Sequence, residues 1–165
     1  MAGDGACGTE GFSANVYWDT NGTTTGAGGT SPSGTWDAAT ARWNTSSAGT
    51  GAVAAWAAGN AAFFSAGTDA TGTYTVTVAG THSIAGLTFE DGAVTLDGGT
   101  LNWTTAGNIS VAASRTAIIN SVLSGSVAVA KTSTGTLRLA AQPPTPCQRT
   151  LQSRRALWNW QNLRA

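Results

Sequence analysis

The sequence predicts an all-β chain wound as a parallel β-helix, or β-solenoid, behind an irregular Trp-rich N-terminal cap. Three observations carry this. Gly, Ala, Ser and Thr account for 22, 30, 14 and 27 of the 165 residues, a composition poor in helix formers apart from alanine and rich in turn and strand residues. Apolar anchors recur at Val76, Ile84, Val94, Leu101, Ile109, Ile118, Val127 and Leu137, seven to ten residues apart. The strands between turns are short, about four residues each, which would make a thin sandwich but suit a coil that stacks on its neighbour ~4.8 Å away. A small β-sandwich is the alternative.

The elements follow in order. Tyr74, Val76 and Val78 alternate with Thr73, Thr75 and Thr77, the period of a half-buried strand. Ala79-Gly80 turns the chain. Ile84, Leu87 and Phe89 lead to the turn Glu90-Asp91-Gly92, and Val94 and Leu96 to Asp97-Gly98-Gly99. Leu101 and Trp103, Ile109 and Val111, a run from Thr116 to Val122, Val127 and Val129, and Leu137 and Leu139 continue the series. Gly92 to Leu96, Gly99 to Trp103 and Gly135 to Leu139 echo one another. Before this region Ala52 to Ala62 is the one alanine-rich stretch, a weak helix candidate interrupted by Gly59.

Charge divides the chain. Acidic and basic residues balance at eight each, only 10% of the chain is charged, and Lys131 is the sole lysine. All eight acids lie before residue 141 with four bases; residues 141–165 carry no acid and four arginines (Arg149, Arg154, Arg155, Arg164). No basic surface capable of dominating nucleic-acid binding is expected. No run of ~18 apolar residues marks a membrane span. Cys7 and Cys147 form neither a CxxC nor a disulfide framework. Residues 1–15 show no signal peptide and read as disordered or as a mis-assigned start, with the true start upstream.

The order of motifs then becomes specific. Val16-Tyr17-Trp18-Asp19-Thr20-Asn21-Gly22, Gly34-Thr35-Trp36-Asp37, Arg42-Trp43-Asn44, Trp56 and Ala62-Phe63-Phe64 are followed by Tyr74 to Val78 and Ile84 to Phe89. Lys131-Thr132-Ser133-Thr134-Gly135-Thr136-Leu137-Arg138-Leu139 is similar to a Lys-x-Gly-x-Gly-Thr-Leu-x-Leu repeat core, with Ser133 in place of its first glycine. From Val16 to Leu139 the chain resembles the autotransporter-associated β-strand repeat proteins. That resemblance implies a right-handed parallel β-helix in a large exported bacterial surface protein, secreted or outer-membrane-associated, acting as stalk, adhesin or coat. It transfers no catalytic residue. The implied organisation is a cap over 16–72, solenoid coils over 73–139 and a Pro/Arg/Trp tail over 140–165. Read one base early, the codons for Leu157 to Gln161 necessarily spell Glu-Leu-Ala after a hydrophobic residue. The tail therefore reads as a frameshifted further repeat, ending at an accidental stop, against the alternative of a natural Pro-rich linker.

Candidate chemistry is thin. His82, the only histidine, lacks partners for a transition-metal site and reads as a surface turn residue. No Gly-x-Ser-x-Gly elbow accompanies it. Glu90, Asp91 and Asp97 are the densest acids; paired carboxylates serve glycoside cleavage and oxygen ligands hold Ca²⁺, but Asp-Gly dipeptides are ordinary turns. Asp19-Thr20-Asn21-Gly22 opens like an EF-hand loop and lacks its closing glutamate. Asn21, Asn44, Asn102 and Asn108 sit in Asn-x-Ser/Thr sequons, idle in a bacterium. No catalytic, metal or cofactor-binding residue is expected, and no enzyme. Trp18, Trp36, Trp43 and Trp56 carry two readings: they seal the end of the solenoid, or they stack on sugar rings. Expected partners are surface glycans or neighbouring β-helix repeats.

Overall fold

The computed structural model describes residues 13–140, as fourteen strands with no helix among them. The strands are β1 (Asn15–Trp18), β2 (Gly34–Trp36), β3 (Trp43–Asn44), β4 (Val53–Ala54), β5 (Asn60–Phe64), β6 (Thr73–Val78) and β7 (Thr81–Phe89). They continue as β8 (Ala93–Asp97), β9 (Thr100–Trp103), β10 (Gly107–Val111), β11 (Thr116–Ile119), β12 (Val122–Ser124), β13 (Val129–Thr132) and β14 (Thr136–Leu139). The expectations for residues 1–12 and 141–165, with Cys7, Cys147, Trp158 and Trp160, lie outside the described residues.

Every pairing between strands of successive coils is parallel, and the chain visits three faces in turn. The first face stacks β2, β6, β8, β11 and β14. The second stacks the N-terminal half of β7 on β9 and β12. The third stacks β1, β5, the C-terminal half of β7, β10 and β13. Register gives the coil length directly. Thr73 pairs with Ala93, Ala93 with Thr116 and Thr116 with Thr136, steps of 20, 23 and 20 residues. This is a β-solenoid, and the β-sandwich alternative falls.

The core is a set of columns. On the first face Tyr74, Val94, Ala117 and Leu137 stack in register, as do Val76, Leu96, Ile119 and Leu139. On the third face Val16, Ala62, Leu87 and Ile109 are followed by Lys131. All but Leu139 are buried. Each large aliphatic side chain so placed contributes about 1.5–3 kcal/mol of transfer free energy. Lys131 is buried too; its ammonium donates to the carbonyls of Thr132 (3.2 Å) and Ser133 (2.8 Å), and burial pulls its pKa below the usual lysine range.

Three local expectations are corrected. The alanine-rich stretch is no helix: it supplies β4 and β5, held by pairing with Trp43 and Asn44 on one side and with β1 and β7 on the other. Tertiary pairing overrides the helix propensity of alanine. Ile118 is not an inward anchor; Ala117 and Ile119 point in and Ile118 is half-buried outside. The run from Thr116 to Val122 is two strands with a corner at Asn120-Ser121. Parallel pairing also reaches back to β1 and β2, so the Trp-rich segment contributes coil strands as well as covering structure.

Candidate functional site

The N-terminal end is closed by a different kind of structure. β3 pairs antiparallel with β1, and β4 antiparallel with β3, in line with the third face. Over the second face, Gly59 N–H and the Trp56 indole N–H both donate to the Ser83 carbonyl, at 2.8 and 3.3 Å. Beneath lies an aromatic plug. Trp36 meets Trp43 at 4.8 Å and Trp56 at 4.6 Å, both edge-to-face, and Trp18 meets Trp43 edge-to-face at 5.4 Å. Trp18 Nε1 donates to the Pro32 carbonyl at 2.7 Å. Nε1 of Trp36 and of Trp43 is buried without a hydrogen-bond partner; edge-to-face packing sets electropositive ring edges against π faces. Trp18, Trp36 and Trp43 are 0–2% exposed, which leaves no face for a sugar ring. Trp56 is half-buried.

His82 is the main correction. It is not a surface turn residue. It lies in β7, 4% exposed, its ring stacked on Trp36 at 5.0 Å and 12°. Its Nε2 is 3.1 Å from the Trp36 carbonyl. Period-two alternation before Ile84 turns it inward, in register with Leu101.

Three glycine-rich loops lock the same end. Asp69 accepts the backbone N–H of Ala27 at 2.7 Å and of Gly29 at 2.6 Å. Burial works to raise its pKa, but these bonds outweigh it and leave the carboxyl below its ordinary value. Gly26, Gly49 and Gly67 touch backbone to backbone: a Cβ on Gly49 would sit 2.3 Å from the Gly26 carbonyl oxygen, and one on Gly67 2.7 Å from Gly26 Cα. The EF-hand-like start is likewise occupied by the protein itself. Asp19 is fully buried and accepts from Asn21 N (2.8 Å), Gly22 N (3.1 Å) and Asn44 Nδ2 (2.8 Å). Asn44 is thus a buried network residue rather than a surface sequon; Asn108 is exposed and Asn21 and Asn102 are half-buried.

Of the other candidate acids, Glu90 and Asp91 share one corner and Asp97 ends the next strand. Asp91 pairs with Arg115 at 3.2 Å, and Arg115 Nε also donates to the Glu90 carbonyl. Burial, then the neighbouring Asp91 charge, raises the pKa of Glu90. Asp97 lies at the far end of β8 and accepts from Asn120 at 3.0 Å. The length of β8, Ala93–Asp97, separates Asp91 from Asp97, and its extended chain spans ~13 Å, beyond the ~5–9.5 Å separation of paired glycosidase carboxylates. Gly92 and Gly98 take positive φ at these corners, as the Asp-Gly dipeptides suggest.

Sequence reasoning passed over Tyr17 and Phe63. Both are half-buried on the outside of the third face, directly paired between β1 and β5, with ring centroids 4.9 Å apart. The signal was available: if Val16, Trp18, Ala62 and Phe64 point inward, the aromatic between each pair points out.

Among the described residues no helix is long and apolar enough to cross a membrane. No protein-family profile matches the chain, and no solved structure matches it. Over 124 residues, 74% of this chain, it is 40% identical to the adhesin BmaC autotransporter of Brucella suis biovar 1 (strain 1330). The matched segment is 4% of that protein's length. In sequence the chain is similar to a segment of an autotransporter adhesin, in keeping with the resemblance carried by the order of its Trp and Gly-Thr-Leu motifs.

Proposed function

We propose that the chain is an adhesive, non-catalytic segment of an exported β-solenoid passenger, secreted or held at the cell surface. The observation that carries this reading is the 40% identity to an autotransporter adhesin over 74% of the chain. The outer faces fit the role. They are built of Thr, Ser and Asn with few charges, and they rest on columns of buried side chains that give a stiff, extended support. In this reading residues 16–72 cap one end, residues 73–139 are coils, and the aromatic plug protects the capped end from strand addition. Trp56, half-buried at the plug's margin, is the indole of the four with surface left for a glycan. Neighbouring repeats of the parent protein and surface glycans are the partners.

The test is adhesion. The chain, displayed on a non-adherent bacterium by a neutral anchor, is expected to raise attachment to epithelial monolayers or immobilised matrix over an anchor-only control. Attachment equal to the control on every surface would overturn the reading. Hydrolysis of a polysaccharide by the purified chain, abolished by Glu90→Gln or Asp91→Asn, would replace it with the enzymatic alternative.

A further inference from the structure

The third face carries more than a core. Tyr17 pairs with Phe63, Phe63 with Thr88, Thr88 with Ser110 and Ser110 with Thr132. These five residues form one straight outward column across five strands. At ~4.8 Å per strand the column is ~19 Å long. Its first two positions are aromatic rings in contact, centroids 4.9 Å apart and tilted by 44°. Its last three are hydroxyls, with Ser110 Oγ 3.0 Å from Ser133 Oγ. Beside it the neighbouring outward positions are small or neutral polar: Asn15 pairs with Ala61, Ala61 with Gly86 and Asn108 with Ala130, and a Cβ on Gly86 would lie 3.4 Å from the Ala61 Cβ and 4.0 Å from Asn108 Oδ1. The column therefore runs beside a second one that offers amides and small side chains. No residue of either column is charged.

We infer that this strip is a binding site for a neutral glycan, with pyranose rings on Tyr17 and Phe63 and sugar hydroxyls on Thr88, Ser110 and Thr132. The inference deepens the adhesive reading above and rests on it. A pyranose presents an apolar C–H face and an equatorial rim of hydroxyls. Aromatic faces take the first by stacking, and hydroxyl side chains take the second. The ~4.8 Å repeat between strands is close to the length of one sugar unit, so a chain laid along the solenoid axis meets a new side chain at each residue. Absence of charge along the strip disfavours phosphate- or sulfate-bearing partners, which call for Arg or Lys. Tyr and Trp rings supply rigid contact area at low entropic cost, and a tilted pair enlarges the area offered to a flexible chain.

Purified chain is titrated with cellohexaose, maltohexaose and chitohexaose, with a heparin hexasaccharide as the charged comparison, by calorimetry and saturation-transfer NMR. At least one neutral hexasaccharide is expected to bind, with transfer strongest at ring C–H protons. Tyr17→Leu with Phe63→Leu keeps apolar bulk in the strands and removes the ring faces; it is expected to weaken binding at least ~10-fold, while the emission of the buried Trp cluster stays unchanged. Tyr17→Phe is expected to bind within ~3-fold of the parent chain. No binding of any neutral hexasaccharide, binding of heparin alone, or undiminished affinity in the double Leu variant overturns the strip. Cell attachment separates the two readings. If the double variant attaches as well as the parent chain, the strip fails and the adhesive reading stands. If the parent chain attaches nowhere, the adhesive reading fails and the titrations still decide the strip.

Discussion

From β6 onward, most inward side chains sit on another apolar one a coil away: Tyr74 on Val94, Val76 on Leu96, Leu87 on Ile109, with His82 on Leu101 and Lys131 on Ile109 the exceptions. Before β5 only β1 and β2 join the stack, with Val16 on Ala62 and Trp36 on Val78. Trp36, Trp43, Trp56 and His82 interlock at different angles, and three loops meet at Gly26, Gly49 and Gly67. Coils are held by many interchangeable contacts, each shared with a neighbour, and losing one leaves the column in place. The cap is held by few contacts that have no substitute. Among the described residues, the strands beyond β1 are the antiparallel β3 and β4, which do not repeat the parallel coil pattern.

The sharpest way to break that comparison is to remove one core side chain from each region. Trp36→Ala is expected to cost ~4–5 kcal/mol and Leu96→Ala ~3 kcal/mol, read from urea unfolding followed by circular dichroism. Hydrogen exchange adds a spatial readout. The Trp36 variant should lose protection across β1 to β4 while β8 to β11 keep theirs, and the Leu96 variant should lose it only near its own coil. Equal costs with the same exchange pattern would mean that the two regions are one cooperative unit of one kind.

Glycine offers a closer pair. Gly49 and Gly80 have similar positive φ, 73° and 86°. A Cβ on Gly80 meets nothing within 4 Å, whereas one on Gly49 is blocked by the Gly26 backbone. Both alanine variants incur ~1–2 kcal/mol for the left-handed backbone. Gly49→Ala must also push its loop away from the Gly26 loop, which adds ~1–3 kcal/mol. Melting temperatures of the two variants that agree would refute the tight loop junction.

Acid should distinguish the regions with opposite sign. Asp69, which pins the cap loops, has its carboxyl below the ordinary 3.8 in the folded chain. Its stabilisation is complete above that unfolded value and is lost as pH falls through the lower folded one. Glu90, at a coil corner, is raised above the ordinary 4.5. Its contribution is present below 4.5 and is lost as pH rises through the folded value. Asp69→Asn is therefore expected to cost ~2 kcal/mol at neutral pH and to flatten the acid limb of a stability–pH curve. Glu90→Gln should slightly stabilise the chain above its folded pKa and leave the acid limb intact. A parallel response of both variants would remove the distinction.

The same contrast decides what the sequence discloses. Coils are legible because their rule is local. Alternation places Tyr74, Val76 and Val78 inside, and Asp-Gly dipeptides mark corners. Two of the slips in the coils, Ile118 and His82, have local causes as well. Ile118 looks like an anchor, but the phase of β11 is set by Val94 and Leu96 beneath Ala117 and Ile119. His82 looks like a turn residue because Gly80 precedes it, yet β7 starts at Thr81. The cap is legible only as a concentration of tryptophan. The bond from Ala27 to Asp69 spans 42 residues and that from Asn44 to Asp19 spans 25, and no periodicity connects them. Tyr17 and Phe63 fall between. Each faces outward by alternation, but their contact depends on the pairing of β1 with β5 across the whole intervening loop region.

The smallest expected effect tests how strict each region is about backbone conformation. In the cap every described residue in the left-handed region is glycine: Gly22, Gly26, Gly28, Gly29, Gly49, Gly59 and Gly67. The coils place two serines there, Ser114 at φ 63° and Ser133 at φ 61°, both exposed at corners. These two corners carry a Cβ in solvent, whereas at Gly92, Gly99 and Gly125 a Cβ would meet the backbone of the preceding coil. Ser133 stands where the repeat motif has glycine, and its carbonyl accepts the Lys131 ammonium at 2.8 Å, a bond that a glycine keeps. Ser133→Gly and Ser114→Gly are each expected to stabilise the chain by ~0.5–1 kcal/mol, the relief of left-handed strain less the added entropy of the unfolded glycine. Ser133→Gly should gain the less of the two, because it gives up the hydroxyl contact with Ser110. A loss of stability in both variants would mean that the coil corners, like the cap, depend on particular side chains.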